Sequence, residues 1–176
     1  MSIFVVTSLR RGCPVGSGQV WAGSGAWCAR YDGHKSVTPL SPQTHFFDTN
    51  VLVYIASGNT QKADRAEAVL AAGGVISVQV LNELASVARR KMQMPWADTH
   101  AFLGMLRGLL TVHPLTLEIH ETGLRLAQRY GFSLYDAMIV ASALHAGCDT
   151  LWSEDLQHGM ALDEGLRVLN PFRIAR

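Results

Sequence analysis

The sequence predicts one α/β domain in which a parallel sheet is flanked by helices. Two observations carry this. Short β-branched and aromatic runs, among them His45-Phe46-Phe47, Val75-Ile76-Ser77 and Thr150-Leu151-Trp152-Ser153, alternate with longer segments of helical period. Strands separated in this way by helices form βαβ units, which lie parallel and are covered on both faces. Finally, 176 residues, 48% of them apolar, are enough for one sizeable core and too few for two comfortable ones.

Taken in order, Phe46 and Phe47 read as the end of a buried strand. Thr49 and Asn50 are turn and cap formers that open a helix carrying Val51, Leu52 and Tyr54. Gly58-Asn59-Thr60 makes a turn, and Lys62 to Ala72 reads as helix, ended by Gly73-Gly74. After the strand at Val75-Ile76-Ser77, a helix over 78–92 presents Val80, Leu81, Leu84, Val87 and Ala88 on one face. Pro95 suits the first turn of a helix running to about Leu110, and Thr111 to Leu115 looks like a strand. Thr116 caps a helix to Tyr130, which Gly131 stops; Ser133 caps the next, which runs to His145 and ends at Gly147. Thr150 to Ser153 and Arg167-Val168-Leu169 are the last strands. Trp96, Phe102, Leu103 and Leu106 give one helix ample apolar surface, explained first by core packing and second by a dimer or partner groove.

Residues 1–43 are expected to be an unstructured extension, either a tail or upstream codons included ahead of the true start, with the folded domain over 44–176. The first 45 residues are rich in Gly and Ser, contain Pro14, Pro39 and Pro42, and follow neither period. They carry four cations and one acid, a net +3, whereas the remainder has eleven cations and thirteen acids, a net −2. A slightly acidic globular part is no bulk polyanion binder, so contact with nucleic acid must be local or metal-assisted. Cys13, Cys28 and Cys148, odd in number and widely spaced, speak against a disulfide framework and a zinc site. No apolar run of membrane length and no secretory leader occurs, so a cytoplasmic location is expected.

Four acids share one position in this scheme. Asp48 follows the first strand, Glu83 lies in the early turns of the helix after the second, Asp136 is in the first turn of the helix behind Ser133, and Asp155 follows Thr150 to Ser153. Parallel strands would gather them at one sheet edge, where ligands bind in open α/β folds. Each also has a plain explanation: Asp48 as a helix cap, Ser133 to Asp136 as a capping box, Asp155 as a first-turn acid, Glu83 as a solvated helix residue. Together they repel, so the protein must protonate some of them or place a cation between them. Hard oxygen donors without Cys or His partners suit Mg²⁺ or Mn²⁺, and clustered Mg²⁺ carboxylates typically serve phosphoryl or phosphodiester chemistry.

Four ordered segments carry a family resemblance: Phe47-Asp48-Thr49-Asn50-Val51-Leu52-Val53-Tyr54, Ser77-Val78-Gln79-Val80-Leu81-Asn82-Glu83-Leu84, Ser133-Leu134-Tyr135-Asp136-Ala137 and Trp152-Ser153-Glu154-Asp155-Leu156-Gln157-His158-Gly159. They resemble the motifs of the PIN-domain ribonucleases, in particular the VapC-like toxins of bacterial toxin–antitoxin pairs, over about residues 44–172. The resemblance implies a PIN-like, Rossmann-like fold and metal-dependent endonucleolytic cleavage of RNA at Asp48, Glu83, Asp136 and Asp155, supported by Asn50 and Ser153. It implies Mg²⁺ or Mn²⁺, an inhibitory antitoxin and often a homodimer. Asp48 and Asp136 are then expected as direct metal ligands, Asp155 as ligand to a second ion or to a water on the first, and Glu83 as the group orienting the attacking water.

The basic run Arg89-Arg90-Lys91 reads as a complement to its helix's carboxyl end or as an RNA backbone contact. His100, His113, His120, His145 and His158 show no shared metal spacing. A PIN-like module that binds RNA or protein without cleaving is the alternative function. An aspartyl phosphatase of the haloacid-dehalogenase type wants a second acid two residues after its nucleophile, where this chain has Asn50. Nucleotide-dependent enzymes are disfavoured because neither a Walker A motif nor a G-x-G-x-x-G after a strand occurs.

Overall fold

Five three-residue strands, β1 (His45–Phe47), β2 (Val75–Ser77), β3 (Thr111–His113), β4 (Thr150–Trp152) and β5 (Arg167–Leu169), form one sheet in the order β3-β2-β1-β4-β5. Every pairing is parallel. The computed structural model describes residues 44–173, so the extension expected over 1–43, and with it Cys13 and Cys28, lies outside the described residues. Six helices connect the strands: α1 (Thr49–Leu52), α2 (Thr60–Leu70), α3 (Val78–Arg90), α4 (Trp96–Leu109), α5 (Leu117–Tyr130) and α6 (Leu134–His145).

The α/β class and the order of elements agree with the expectation; the element ends shift for identifiable reasons. Helix α1 is one turn, continued by a 3-10 turn over Val53–Ala56. Helix α2 starts before Lys62 because the Asn59 side chain caps the Lys62 amide at 3.1 Å, and Gly73, at φ +73°, follows its end. Helix α3 stops at Arg90 rather than Met92 because the Lys91 and Met92 amides both turn back to the Val87 carbonyl. Strand β3 stops short of Pro114, which has no N–H to offer the ladder. The caps at Thr116 and Ser133 and the left-handed stop at Gly131 (φ 72°) are where the sequence placed them.

Phe46, Ile76, Leu151 and Val168 from four neighbouring strands are fully buried, joined by Val51, Leu52, Val80, Leu84, Leu106 and Ile119 from the helices. Helix α6 is apolar on nearly every side, with Ala137 to Leu144 all buried, as befits a helix inside the core. It packs closely on α5: a Cβ built at Gly123 would stand 2.5 Å from the Met138 Cε. Asp136 stands on the first turn of this embedded helix, so the core dictates where that carboxylate sits.

The apolar surface of α4 divides. Leu106 belongs to the core and Phe102 and Leu103 pack against it, whereas Trp96 is 61% exposed and, further along the helix, Met105 and Leu109 are exposed too. Cys148 is a buried thiol that burial, aided by neighbouring Asp149, pushes up to about 11, which disfavours the thiolate at neutral pH. No helix among the described residues is long and apolar enough to cross a membrane. Before β2 the chain passes close under β1: a Cβ on Gly74 would lie 2.6 Å from the His45 carbonyl oxygen. Gly74→Ala should therefore lower stability by about 1–3 kcal/mol, read as a lower urea midpoint.

Candidate active site

The strand order reverses direction at β1, which β2 flanks on one side and β4 on the other. A crevice opens outside the carboxyl ends of the strands at such a switch point. Asp48 follows Phe47 directly, Phe47 is in register with Trp152, and Asp155 comes three residues after Trp152. Glu83 reaches in from the second turn of α3 and Asp136 from the first turn of α6. A cleft of about 330 Å³ is lined by Asp48, Asn50, Glu83, Asp136 and Asp155, together with Thr49, Tyr54, Lys91 and Glu154. All four predicted acids thus meet at one concavity, and Ser153 lies buried beneath it.

Asp48 occupies the N-cap position of α1 without a side-chain cap bond, and the Thr49 amide is among the groups that hold its carboxyl down. Its amide is fixed to β4 by donating to the Trp152 carbonyl at 3.0 Å. Its Oδ2 accepts from Ser153 Oγ at 2.7 Å and from Asn50 Nδ2 at 2.8 Å. Asn50 is the hub of the two loops. Its Nδ2 also reaches Asp155 Oδ2 at 3.0 Å and Ser153 Oγ at 3.3 Å, while its Oδ1 accepts the Glu154 amide at 3.0 Å. Carboxylates only accept, which dictates the orientation of this amide. Ser153 Oγ additionally accepts the Leu156 amide at 3.3 Å. Ser153→Ala would strand that buried donor and take a partner from Asp48, so we expect a loss of about 1–3 kcal/mol, measured as a lower thermal midpoint.

The other acids are held by local donors. Glu83 accepts from Thr49 Oγ1 at 2.7 Å and from Gln79 Nε2, one turn earlier on α3, at 2.8 Å. Asp136 takes the Ser133 hydroxyl at 2.7 Å, and the Ser133 oxygen in turn accepts the Asp136 amide at 3.2 Å. The capping function of Ser133 and the place of Asp136 in the cleft are therefore compatible. Asp155 is exposed and accepts from Asn50.

Asp48 is only 4% exposed. Burial is the largest influence on its carboxyl, the Ser153 hydrogen bond opposes it, and the charges of Glu83 and Asp136 add to it; the net effect pushes Asp48 up to about 7. A negative charge so disfavoured, surrounded by further hard oxygen donors, suits a divalent cation of the Mg²⁺ or Mn²⁺ kind. The acids share the cleft without being drawn onto one point: no three His, Cys, Asp or Glu side chains among the described residues already form a group able to enclose an ion.

Sequence reading missed Thr49, Gln79, Glu154 and Lys62. The Gln79–Glu83 spacing of one helical turn was a visible signal, whereas nothing in the sequence links Lys62 to Glu154, 92 positions away, with which it forms an ion pair. The basic run is divided by the fold. Arg89 donates to the Met94 carbonyl and stacks 4.7 Å from the Trp96 ring centroid, Arg90 ends α3 exposed, and Lys91 lines the cleft. His158 accepts the Asn170 amide at 2.9 Å and does not line the cleft.

A five-stranded parallel sheet with four converging acids at the carboxyl edge of its switch point defines a Rossmann-like α/β protein with a carboxylate-lined cleft. The family model described as the PIN domain matches residues 45–159, and the chain belongs to that family. Among solved structures it resembles a toxin–antitoxin complex from Klebsiella pneumoniae (24% identity, TM-score 0.57, covering 74% of this chain and 100% of that one). It also resembles VapBC-1 from nontypeable Haemophilus influenzae (15% identity, TM-score 0.54, 74% and 100% covered). A third is VapC20 of Mycobacterium tuberculosis, described as a sarcin–ricin-loop-cleaving toxin (17% identity, TM-score 0.51, 64% and 90% covered). At these identities the likeness is one of fold. No curated protein matches the chain.

Proposed function

We propose that this protein is a Mg²⁺- or Mn²⁺-dependent endoribonuclease that hydrolyses RNA phosphodiester bonds as the toxin of a type II toxin–antitoxin pair. The observation that carries the reading is the convergence of Asp48, Glu83, Asp136 and Asp155 on one cleft, with the Asp48 charge disfavoured first by its burial and then by Glu83 and Asp136. Among hard-donor sites, this one lies open along the sheet edge, where an extended polyanion can be laid down.

Asp48 and Asp136 would hold the cation, with Asp155 completing its surroundings. When bound, such an ion lowers the pKa of a bound water and neutralises charge on the phosphate. The protein's own groups do the rest. Asn50 and Ser153 keep Asp48 Oδ2 aimed by hydrogen bonds of 2.8 and 2.7 Å. Thr49 and Gln79 occupy one oxygen each of Glu83, holding it ready to orient the attacking water and accept its proton. Lys91, on the cleft wall, offers a contact to a flanking phosphate, with Arg90 next to it on α3; Arg89, turned to Met94 and Trp96, is the least available of the three.

The reading brings with it a cytoplasmic site of action and a cognate antitoxin, as in the toxin–antitoxin complex from Klebsiella pneumoniae whose fold this chain shares. The exposed Met105 and Leu109, one turn apart on α4, offer apolar area for a homodimer. The test is cleavage of a fluorescent single-stranded oligoribonucleotide by the purified chain. Cleavage should occur with Mg²⁺ or Mn²⁺, stop with EDTA and return on adding the ion. Binding without cleavage under every condition would instead support a PIN-like module that binds RNA or protein.

A further inference from the structure

Glu154, neighbour of Asp155 and likewise on the cleft wall, is a fifth acid that the roles above leave unused. Its carboxylate is ion-paired to Lys62, on the first turn of α2. The Lys62 ammonium also donates to the Tyr54 hydroxyl at 2.7 Å and lies 4.2 Å from the Tyr54 ring centroid and 5.0 Å from that of Phe172. Those rings meet edge to face at 4.9 Å. The segment after β5 closes around the same point: Asn170 Nδ2 donates to the Glu154 carbonyl at 3.4 Å, the Phe172 amide to Asn170 Oδ1 at 2.8 Å, and Arg65 to the Phe172 carbonyl at 2.9 Å. Glu154 is thus held by its side chain from α2, by its carbonyl from the terminal segment, and by its amide from Asn50. Asp155, one residue on, is tied to Asn50 alone among the described partners.

We propose that Lys62 is a positioning residue that keeps the Glu154 carboxylate on the cleft wall from joining the donors to the cation, so that the loop after β4 offers the cation Asp155 and not Glu154. The inference rests on the metal-dependent reading. The physical reason is competition: a glutamate on a longer stem beside Asp155 adds a hard anionic donor to the cleft, and affinity for a divalent cation rises with the number of such donors. A cation 92 residues away in sequence, seated against two aromatic rings, removes that donor from the set.

Mn²⁺ binding by the full-length protein, followed by electron paramagnetic resonance, gives a readout independent of catalysis. Lys62→Met should bind Mn²⁺ roughly three- to tenfold more tightly than the wild type. Lys62→Arg should keep the wild-type affinity. Glu154→Gln alone should leave affinity unchanged, and adding it to Lys62→Met should return affinity to the wild-type value. Should Lys62→Met fail to fold, Lys62→Gln, which keeps a donor but not the charge, should shift affinity in the same direction. Affinities equal within twofold in all of these variants, a change that Glu154→Gln does not reverse, or no Asp48-dependent Mn²⁺ binding by the wild type would overturn the proposal. A wild type that cleaves RNA while Lys62→Met binds Mn²⁺ unchanged ends this inference and spares the nuclease reading. Asp48-dependent Mn²⁺ binding without cleavage does the reverse.

Discussion

Asp48→Asn is expected to abolish RNA cleavage, lowering the rate by about a thousandfold or more, while making the metal-free protein more stable. The two effects have one cause. Burial, with Glu83 and Asp136 adding to it, pushes Asp48 up to about 7, far above the ordinary carboxylate value of 3.8. The sign is therefore opposite to that of a salt-bridged aspartate. Between pH 3.8 and about 7 the folded chain holds a proton that the unfolded chain has lost, so stability falls as pH rises through that window. Below it Asp48 contributes no penalty, and above it the penalty is complete. Asparagine carries no charge and can still accept from Ser153 and Asn50. The variant should gain roughly 1–3 kcal/mol over the wild type at pH 8 in EDTA and almost nothing at pH 4. Urea denaturation at the two pH values, paired with the cleavage assay, checks both halves. Saturating Mg²⁺ should shrink the gap at pH 8, because an ion bound only to the folded wild type stabilises that protein and not the variant.

Phe46→Ala is the substitution expected to cost the fold most. Phe46 is fully buried at the centre of the middle strand, in register with Val75 on one side and Leu151 on the other. Deleting such a ring from a packed core removes about 3–5 kcal/mol, and a single domain of this size has about 5–15 kcal/mol in total. The variant should lose most of its cooperative thermal transition or move it down by tens of degrees. Because Asp48 lies two residues further along the same strand end, any protein that still folds should also cleave more slowly. Phe46→Leu, which refills most of the volume, should recover both.

Much of this architecture was legible from local signals. Ser133 and Thr116 cap, Gly131 stops, and an apolar α6 reads as a core helix; each of these depends on neighbours within one or two turns. The four acids were legible because each follows a strand or opens a helix, and parallel strands bring such positions to one edge. Other features depend on contacts that no local pattern encodes. The strand order, and with it the switch point between β1 and β4, is set by long-range packing. The Thr49–Glu83, Asn50–Asp155 and Lys62–Glu154 contacts join residues 34 to 105 positions apart, so the donors that aim each carboxylate could not be read from spacing. Arg89 read in the sequence as a complement to its helix's carboxyl end or as an RNA backbone contact, and nothing local showed that the turn into α4 gives it the Met94 carbonyl and the Trp96 ring.

At the centre of the account is a single cation site assembled from strand ends and helix starts. Anomalous diffraction from crystals grown or soaked with Mn²⁺ tests it directly. A manganese peak is expected in the cleft within bonding distance of carboxylate oxygens of both Asp48 and Asp136. A manganese peak only at other surface acids, with the Asp48 and Asp136 carboxylates unmoved and still bound to Ser153 and Ser133, would contradict it.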